Sequence, residues 1–190
     1  MQFRLGDIAQ INSGQTIRGR VENDSNGTVG VIQMKDLNSS YSGLISLPYF
    51  IAEKAVSKKQ ILKKGDVMFL AKGNNNKAFV FNEDYPAVAV SLFFVVRTNK
   101  DMLLPEYLMW LLNNRETQVY LKSIRSTAAI ANVKKQVLEN LLIELPSMEK
   151  QKLIAKVYQL GLKEDNLLLS LQEKTRVFNE EILMKLKNKI

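Results

Sequence analysis

The sequence predicts an α+β fold: a globular domain of mixed strands and helices over residues 1–145, then one long helix over residues 146–190. Three observations carry this. Short apolar runs, each bounded by Gly, Asn, Asp or Lys turns, recur through the first part of the chain. A helical pattern opening on Pro105 interrupts them before a last short strand at residues 140–145. After Pro146 about 40 residues follow with no further proline and a single glycine, Gly161.

The elements follow in order. Asp7 is placed to cap a short helical turn, and Gly14 to end it. Residues 15–27 are polar, with Arg18, Arg20 and an Asn/Asp/Ser/Gly cluster, and predict a long loop or an exposed hairpin. Residues 28–34 have strand composition and lead into Lys35, Asp36 and Leu37. A polar turn and a lysine-rich connection (Lys54, Lys58, Lys59, Lys63, Lys64) come next. Lys64-Gly65-Asp66 predicts a tight turn feeding a buried strand. Asn74, Asn75 and Asn76 predict another turn before a strand at residues 78–81. Residues 87–97, rich in valine and phenylalanine, predict one central strand. Pro105 suits a helix start, and the apolar positions 107, 108, 111, 112 and 119 share the face expected to pack on the sheet.

Pro146 and Ser147 open the terminal helix, where a missing N–H does no harm and a hydroxyl can cap free amides. One apolar track runs through Leu153, Val157, Leu160, Leu167, Leu171, Phe178, Ile182 and Leu186 in steps of three and four. Glu164 and Lys174 interrupt it, and Gly161 weakens the helix by roughly 1 kcal/mol against alanine. A helix of about 40 residues is about 60 Å long, too long to bury this track on the preceding domain. A partner helix is expected to cover it. The alternative is a hairpin that folds back at Gly161.

Composition narrows the function. With 46% hydrophobic residues the chain can bury a real core. It contains no cysteine and no histidine, which removes disulfides, thiolate or imidazole metal ligands, and histidine bases. A cytoplasmic protein is expected, for no apolar run suggests a signal peptide or a membrane span. The formal charge is +8, divided as +5 before residue 145 and +3 after it, so neither part is a concentrated basic tail. That balance favours an anionic partner, of which DNA phosphate is the commonest, although charge alone is equally compatible with a basic protein that binds no nucleic acid.

No Gly-x-x-x-x-Gly-Lys-Ser/Thr or Gly-x-Gly-x-x-Gly phosphate loop occurs. Nor does the Asn/Asp-Pro-Pro-aromatic tetrapeptide of enzymes that methylate base nitrogens; Asp84-Tyr85-Pro86 imitates it poorly. Asp66 reads as a turn acceptor rather than a base. No catalytic residue is expected, and no cofactor or metal in this chain.

What remain are groups that read base edges. Lysine and arginine donate to guanine O6 and N7, and asparagine pairs with adenine N6 and N7. Lys72-Gly-Asn74-Asn75-Asn76-Lys77 gathers such groups in one loop, although asparagine and glycine are also the ordinary residues of a plain turn. Arg18 and Arg20 form a second cluster, and residues 122–127, with Arg125 and Ser126, a third. Lys35 is read as a further DNA contact. Lys58, Lys59, Lys63 and Lys64 suit a solvated or phosphate-facing surface rather than a sequence reader.

The order of several short motifs resembles the specificity subunits of type I restriction–modification enzymes. The likeness is carried by Leu5-Gly-Asp-Ile8 with Gly14, Lys35-Asp-Leu37, Lys64-Gly-Asp-Val67 and Pro105-Glu-Tyr-Leu108. Its strongest part is Asn132-Val with Leu138, Ile143-Glu-Leu-Pro146, and Glu149-x-Gln151-x-x-Ile154-Ala155. The resemblance implies a noncatalytic target-recognition domain for double-stranded DNA, and a conserved helix for dimerisation and methyltransferase docking. It also implies methyltransferase and restriction (motor-nuclease) partner subunits, which would carry S-adenosylmethionine, ATP and Mg. Such subunits usually hold two recognition domains and two helical regions. This sequence holds one of each and so resembles a half subunit. Two copies pairing their helices antiparallel as a coiled coil would read two inverted half-sites, centred about 34–36 Å apart or a multiple of that. The alternative is a truncated subunit that binds partner protein without selecting a DNA sequence.

Overall fold

A computed structural model describes residues 2–38, 43–73, 76–126 and 132–187; the side chains of Arg125 and Ser126 lie outside that description. The described chain is α+β, and it divides into two units, Met1–Ala155 and Lys156–Ile190.

Three sheets build the first unit. β1 (Gln2–Arg4) pairs antiparallel with β9 (Leu142–Glu144), so the ends of the unit close on each other. The second sheet has the order β2 (Ala9–Ser13), β8 (Phe93–Thr98), β5 (Val67–Leu70) and β6 (Ala78–Val80), all antiparallel. In the third, β3 (Val29–Ile32) lies between antiparallel β4 (Tyr49–Ile51) and parallel β7 (Ala87–Ala89). All four residues of β5 are buried, as a central strand covered on both faces should be.

The core gathers Val67, Phe69, Val96 and Ile143 from the strands with Leu5, Leu103, Leu108, Leu112, Leu121 and Leu138 from the helical parts. Phe69, Phe79 and Phe93 are fully buried, and each such side chain stabilises the fold by about 1.5–3 kcal/mol. α1 (Leu5–Ile8), α2 (Pro105–Asn113), α3 (Arg115–Ser126) and α4 (Lys135–Glu139) complete the unit.

Four expectations change. The apolar run 87–97 is two strands in two different sheets, β7 and β8, with a turn between them. Apolar periodicity cannot reveal that break, because both halves are buried. The helix that opens on Pro105 stops at Asn113. Asn114 adopts an extended conformation and its side chain caps α3, accepting from the Thr117 N–H at 2.8 Å, so Val119 is exposed rather than packed on the sheet. Asp7 lies inside the first turn of α1 rather than capping it, and the turn ends at Ile8. Gly14 instead permits close approach of two backbones, for a Cβ there would overlap the Val90 carbonyl.

α5 (Met148–Lys187) runs without a break through Gly161, so no hairpin forms there. Its first two turns belong to the first unit. Gln151 is buried, accepting from the Leu104 N–H (3.0 Å) and donating to the carbonyls of Met102 (2.9 Å) and Pro146 (3.1 Å). Farther along, Arg176 bonds Glu173 and Glu180, and the Arg176 hydrogen bond holds the Glu173 carboxyl below its usual range. Leu153, Val157, Leu160, Leu167, Leu171, Phe178, Ile182 and Leu186 are all exposed, by 39–63%. Among the described residues no helix is long and apolar enough to cross a membrane.

Candidate nucleic-acid interface

Three backbone hydrogen bonds converge on the turn between β7 and β8. The Gln15 N–H donates to the Ala89 carbonyl (2.7 Å), the Val90 N–H to Ile32 (3.1 Å), and the Ala71 N–H to Leu92 (2.9 Å). Each outer partner is the root of a polar segment. Gln15 leads to Arg18 and Arg20, Ile32 to Lys35, and Ala71 to Lys72. Three excursions from two separate sheets are therefore fastened to residues 89–92 at one end of the domain.

The first excursion has no regular structure, yet it is tied down. Ile17 and Val21 pack on the small apolar cluster of Val29, Val31 and Val88. Its far side is pinned to β4, where Asn23 Oδ1 accepts from the Phe50 N–H (2.8 Å) and the Asp24 N–H donates to the Phe50 carbonyl (2.9 Å). Arg18 and Arg20 are exposed on either side of Gly19, whose φ of 82° is the left-handed conformation that favours glycine.

The second excursion is the 3-10 turn Met34–Asp36. Buried Asp36 fixes it, accepting from the Gln33 N–H at 2.8 Å. Exposed Lys35 holds its ammonium 3.5 Å from the centre of the Tyr49 ring, a cation–π contact that sets the direction of its charge.

The third excursion follows β5. Lys72 is exposed, pairs in an isolated bridge with Asn132, and precedes Gly73 at φ 101°. Asn74 and Asn75 lie outside the described residues. Asn76 departs from its expected place at a base edge. It is 2% exposed, and its Nδ2 donates to the Leu70 carbonyl at 2.9 Å, so it closes the loop from within. Lys77 is half-buried and accepts from the Leu70 N–H at 2.8 Å.

Two side chains not singled out from the sequence hold this loop. Asn113 pairs reciprocally with the Ala78 backbone, accepting at 2.9 Å and donating at 2.7 Å. Gln118 Nε2 donates to the carbonyls of Asn76 (2.5 Å) and Leu112 (2.7 Å). The loop is thereby joined to α3, which ends in Arg125 and Ser126, residues whose side chains lie outside the description. The adjacent amides Asn113 and Asn114 were the available signal, since such a pair inside a helical pattern suits a break.

Lys63 and Lys64 lie at the other end of β5. There Asp66, 2% exposed, accepts from the Lys63 N–H (2.8 Å) and from Arg97 Nε (2.8 Å) and Nη2 (2.6 Å). The Asp66 hydrogen bond raises the Arg97 pKa further, against the opposing effect of burial. Lys64 pairs with Asp84.

Known proteins resemble this chain in sequence and fold. The family model described as the type I restriction modification DNA specificity domain matches residues 1–159. The specificity subunit of the HindI type I restriction enzyme from Haemophilus influenzae is 30% identical over 100 residues, which cover 50% of this chain and 22% of that subunit. The HsdS subunit from Thermoanaerobacter tengcongensis aligns with a TM-score of 0.63 at 21% identity, over 86% of this chain and 37% of that one. A chain from a study of complex assembly and conformational transition in the type I R-M system aligns at 0.68 and 20%, over 92% and 41%. The M. genitalium S subunit aligns at 0.58 and 15%, over 93% and 43%. At these identities the solved structures establish the fold. The chain spans less than half the length of each of these relatives.

Proposed function

The chain belongs to the type I restriction modification DNA specificity family, and from that premise we infer that it is a noncatalytic reader of double-stranded DNA. The supporting observation is the convergence on residues 89–92 of three polar segments that carry exposed Arg18, Arg20, Lys35 and Lys72. Arg18, Arg20, Lys35 and Lys72 contact phosphates and base edges from that end, with Arg125 and Ser126 contributing from the end of α3. A rigid root with an exposed tip suits this work, because the loop need not be ordered anew on binding. Asn76, Asn113 and Gln118 shape the reading loop rather than touch bases.

The exposed track on α5 supports a second element of this reading. Eight large apolar side chains in steps of three, four and seven suit a helix partner more than solvent. Two copies pair their helices antiparallel and so present two inverted recognition ends. The assembly recruits the methyltransferase subunit, which carries S-adenosylmethionine, and the restriction subunit with its ATP and Mg. Replacing Leu167 and Leu171 with aspartate should convert a dimer to a monomer in sedimentation equilibrium. A wild-type chain that is monomeric at all concentrations would remove the pairing.

Selection of bound duplexes from a random pool tests the reading itself. An inverted, gapped motif is expected. A single asymmetric half-site would contradict the symmetric pair, and no enrichment would favour a protein-binding module without DNA selectivity.

A further inference from the structure

A groove of about 470 Å³ lies in the first unit between α2, α3 and the β1–β9 pair. Tyr107 and Trp110 form one wall, with ring centres 5.4 Å apart, and exposed Tyr120 extends it. The opposite wall is β9, with the Leu142 side chain 61% exposed. Glu116 and Glu144 are the charged residues of the lining, and among the described residues no lysine or arginine joins them. In a chain of net charge +8 this is an acidic place. It repels the phosphates that the recognition end attracts.

The backbone of β9 adds a direction. β9 pairs with β1 alone. The Leu5 N–H donates to the Leu141 carbonyl, so Leu141 and Ile143 turn their polar groups toward β1. By alternation, Leu142 and Glu144 turn theirs away, into the groove. Tyr107 Oη confirms this side, donating to the Glu144 carbonyl at 3.0 Å. Leu142 thus offers a donor and an acceptor to an incoming strand, flanked by aromatic rings and carboxylates.

We propose that this groove binds an extended, basic segment of a partner protein, which adds as a strand to β9, sets an apolar side chain against Trp110 and Tyr107, and pairs lysine or arginine with Glu116 and Glu144. None of its lining residues is among those proposed to read DNA or among those of the apolar track of α5. It gives the recognition domain a protein contact of its own.

Trp110 is the sole tryptophan of the chain, so its fluorescence reports on the groove directly. The probe is an eight-residue peptide of alternating lysine and valine, titrated into the full chain. A saturable change in Trp110 emission is expected. It should weaken about tenfold or more in the exposed-site variant Glu116→Lys/Glu144→Lys. It should also disappear when alternate peptide nitrogens are methylated, which blocks strand addition and leaves the charge unchanged. No saturable change would overturn the proposal. So would equal binding of the methylated peptide or of a glutamate–valine peptide. A response to single-stranded oligonucleotide in place of the basic peptide would instead assign the groove to nucleic acid.

Discussion

The two ends of β5 use nearly the same residues to opposite effect. Before the strand stands Lys64-Gly65-Asp66, and after it Lys72-Gly73 with Asn76. Both glycines have positive φ, 89° and 101°, and both short polar side chains that close the turns are 2% exposed. The first turn is locked, with Asp66 paired to Arg97 and Lys64 to Asp84. At the second, the polar side chain is a neutral amide that satisfies one carbonyl, and among the described residues Lys72 forms no ion pair. At the first turn Asp66 pairs Arg97 and Asp84 pairs Lys64, while Lys63 and Lys100 beside them form no ion pair among the described residues; at the second, an amide leaves Lys72 available. The second end, where Lys72 joins Arg18, Arg20 and Lys35 around residues 89–92, is therefore the one we assign to an anionic ligand.

This contrast can be broken most severely at the locked end. Asp66→Ala should destabilise the fold by about 2–4 kcal/mol in urea denaturation, because it strands half-buried Arg97 and the Lys63 N–H. DNA affinity of the surviving folded fraction should stay unchanged. At the open end the effects reverse. Lys72→Ala should weaken DNA binding by about 1–3 kcal/mol in fluorescence anisotropy, with stability altered by less than about 0.5 kcal/mol. A base contact would show as relaxed sequence preference, and a phosphate contact as a uniform loss with a flatter salt slope.

Asn113→Ala sharpens the comparison by separating support from contact. It removes both hydrogen bonds to the Ala78 backbone and should lower stability by about 1–2 kcal/mol, with a smaller loss of DNA affinity. The smallest effect belongs to Tyr85, whose ring packs edge-on to Phe81 beside the locked turn. Burial, then Glu83 and Asp36, pushes its phenol from 10.0 up to about 12. The folded state therefore holds this proton more tightly. Its contribution is complete below pH 10 and is lost as pH rises toward about 12. Tyr85→Phe should flatten the alkaline decline of the melting temperature over that range.

The sequence made part of this legible. The Lys64-Gly-Asp turn, the helix start at Pro105 and the terminal helix announce themselves through backbone chemistry that does not depend on distant partners. The separation of 87–97 into two strands was hidden, because burial on both sides of the break removes any contrast in polarity. That hidden turn is the one on which the three polar segments bearing Arg18, Arg20, Lys35 and Lys72 converge, so their assembly at one end could not be read from spacing. Asn76 was legible as a turn residue, but not as a buried one. Its position depends on Gln118 and Leu70, which meet it only in the folded chain.

Reversing one charge at each end of β5 tests the central claim most directly. Lys72→Glu and Lys64→Glu are compared with the parent chain by anisotropy on a random-sequence duplex pool at moderate salt. Lys72→Glu should weaken binding about tenfold or more, and Lys64→Glu less than about twofold. Equal losses at the two ends, or a larger loss at Lys64, would contradict the assignment of DNA to the open end.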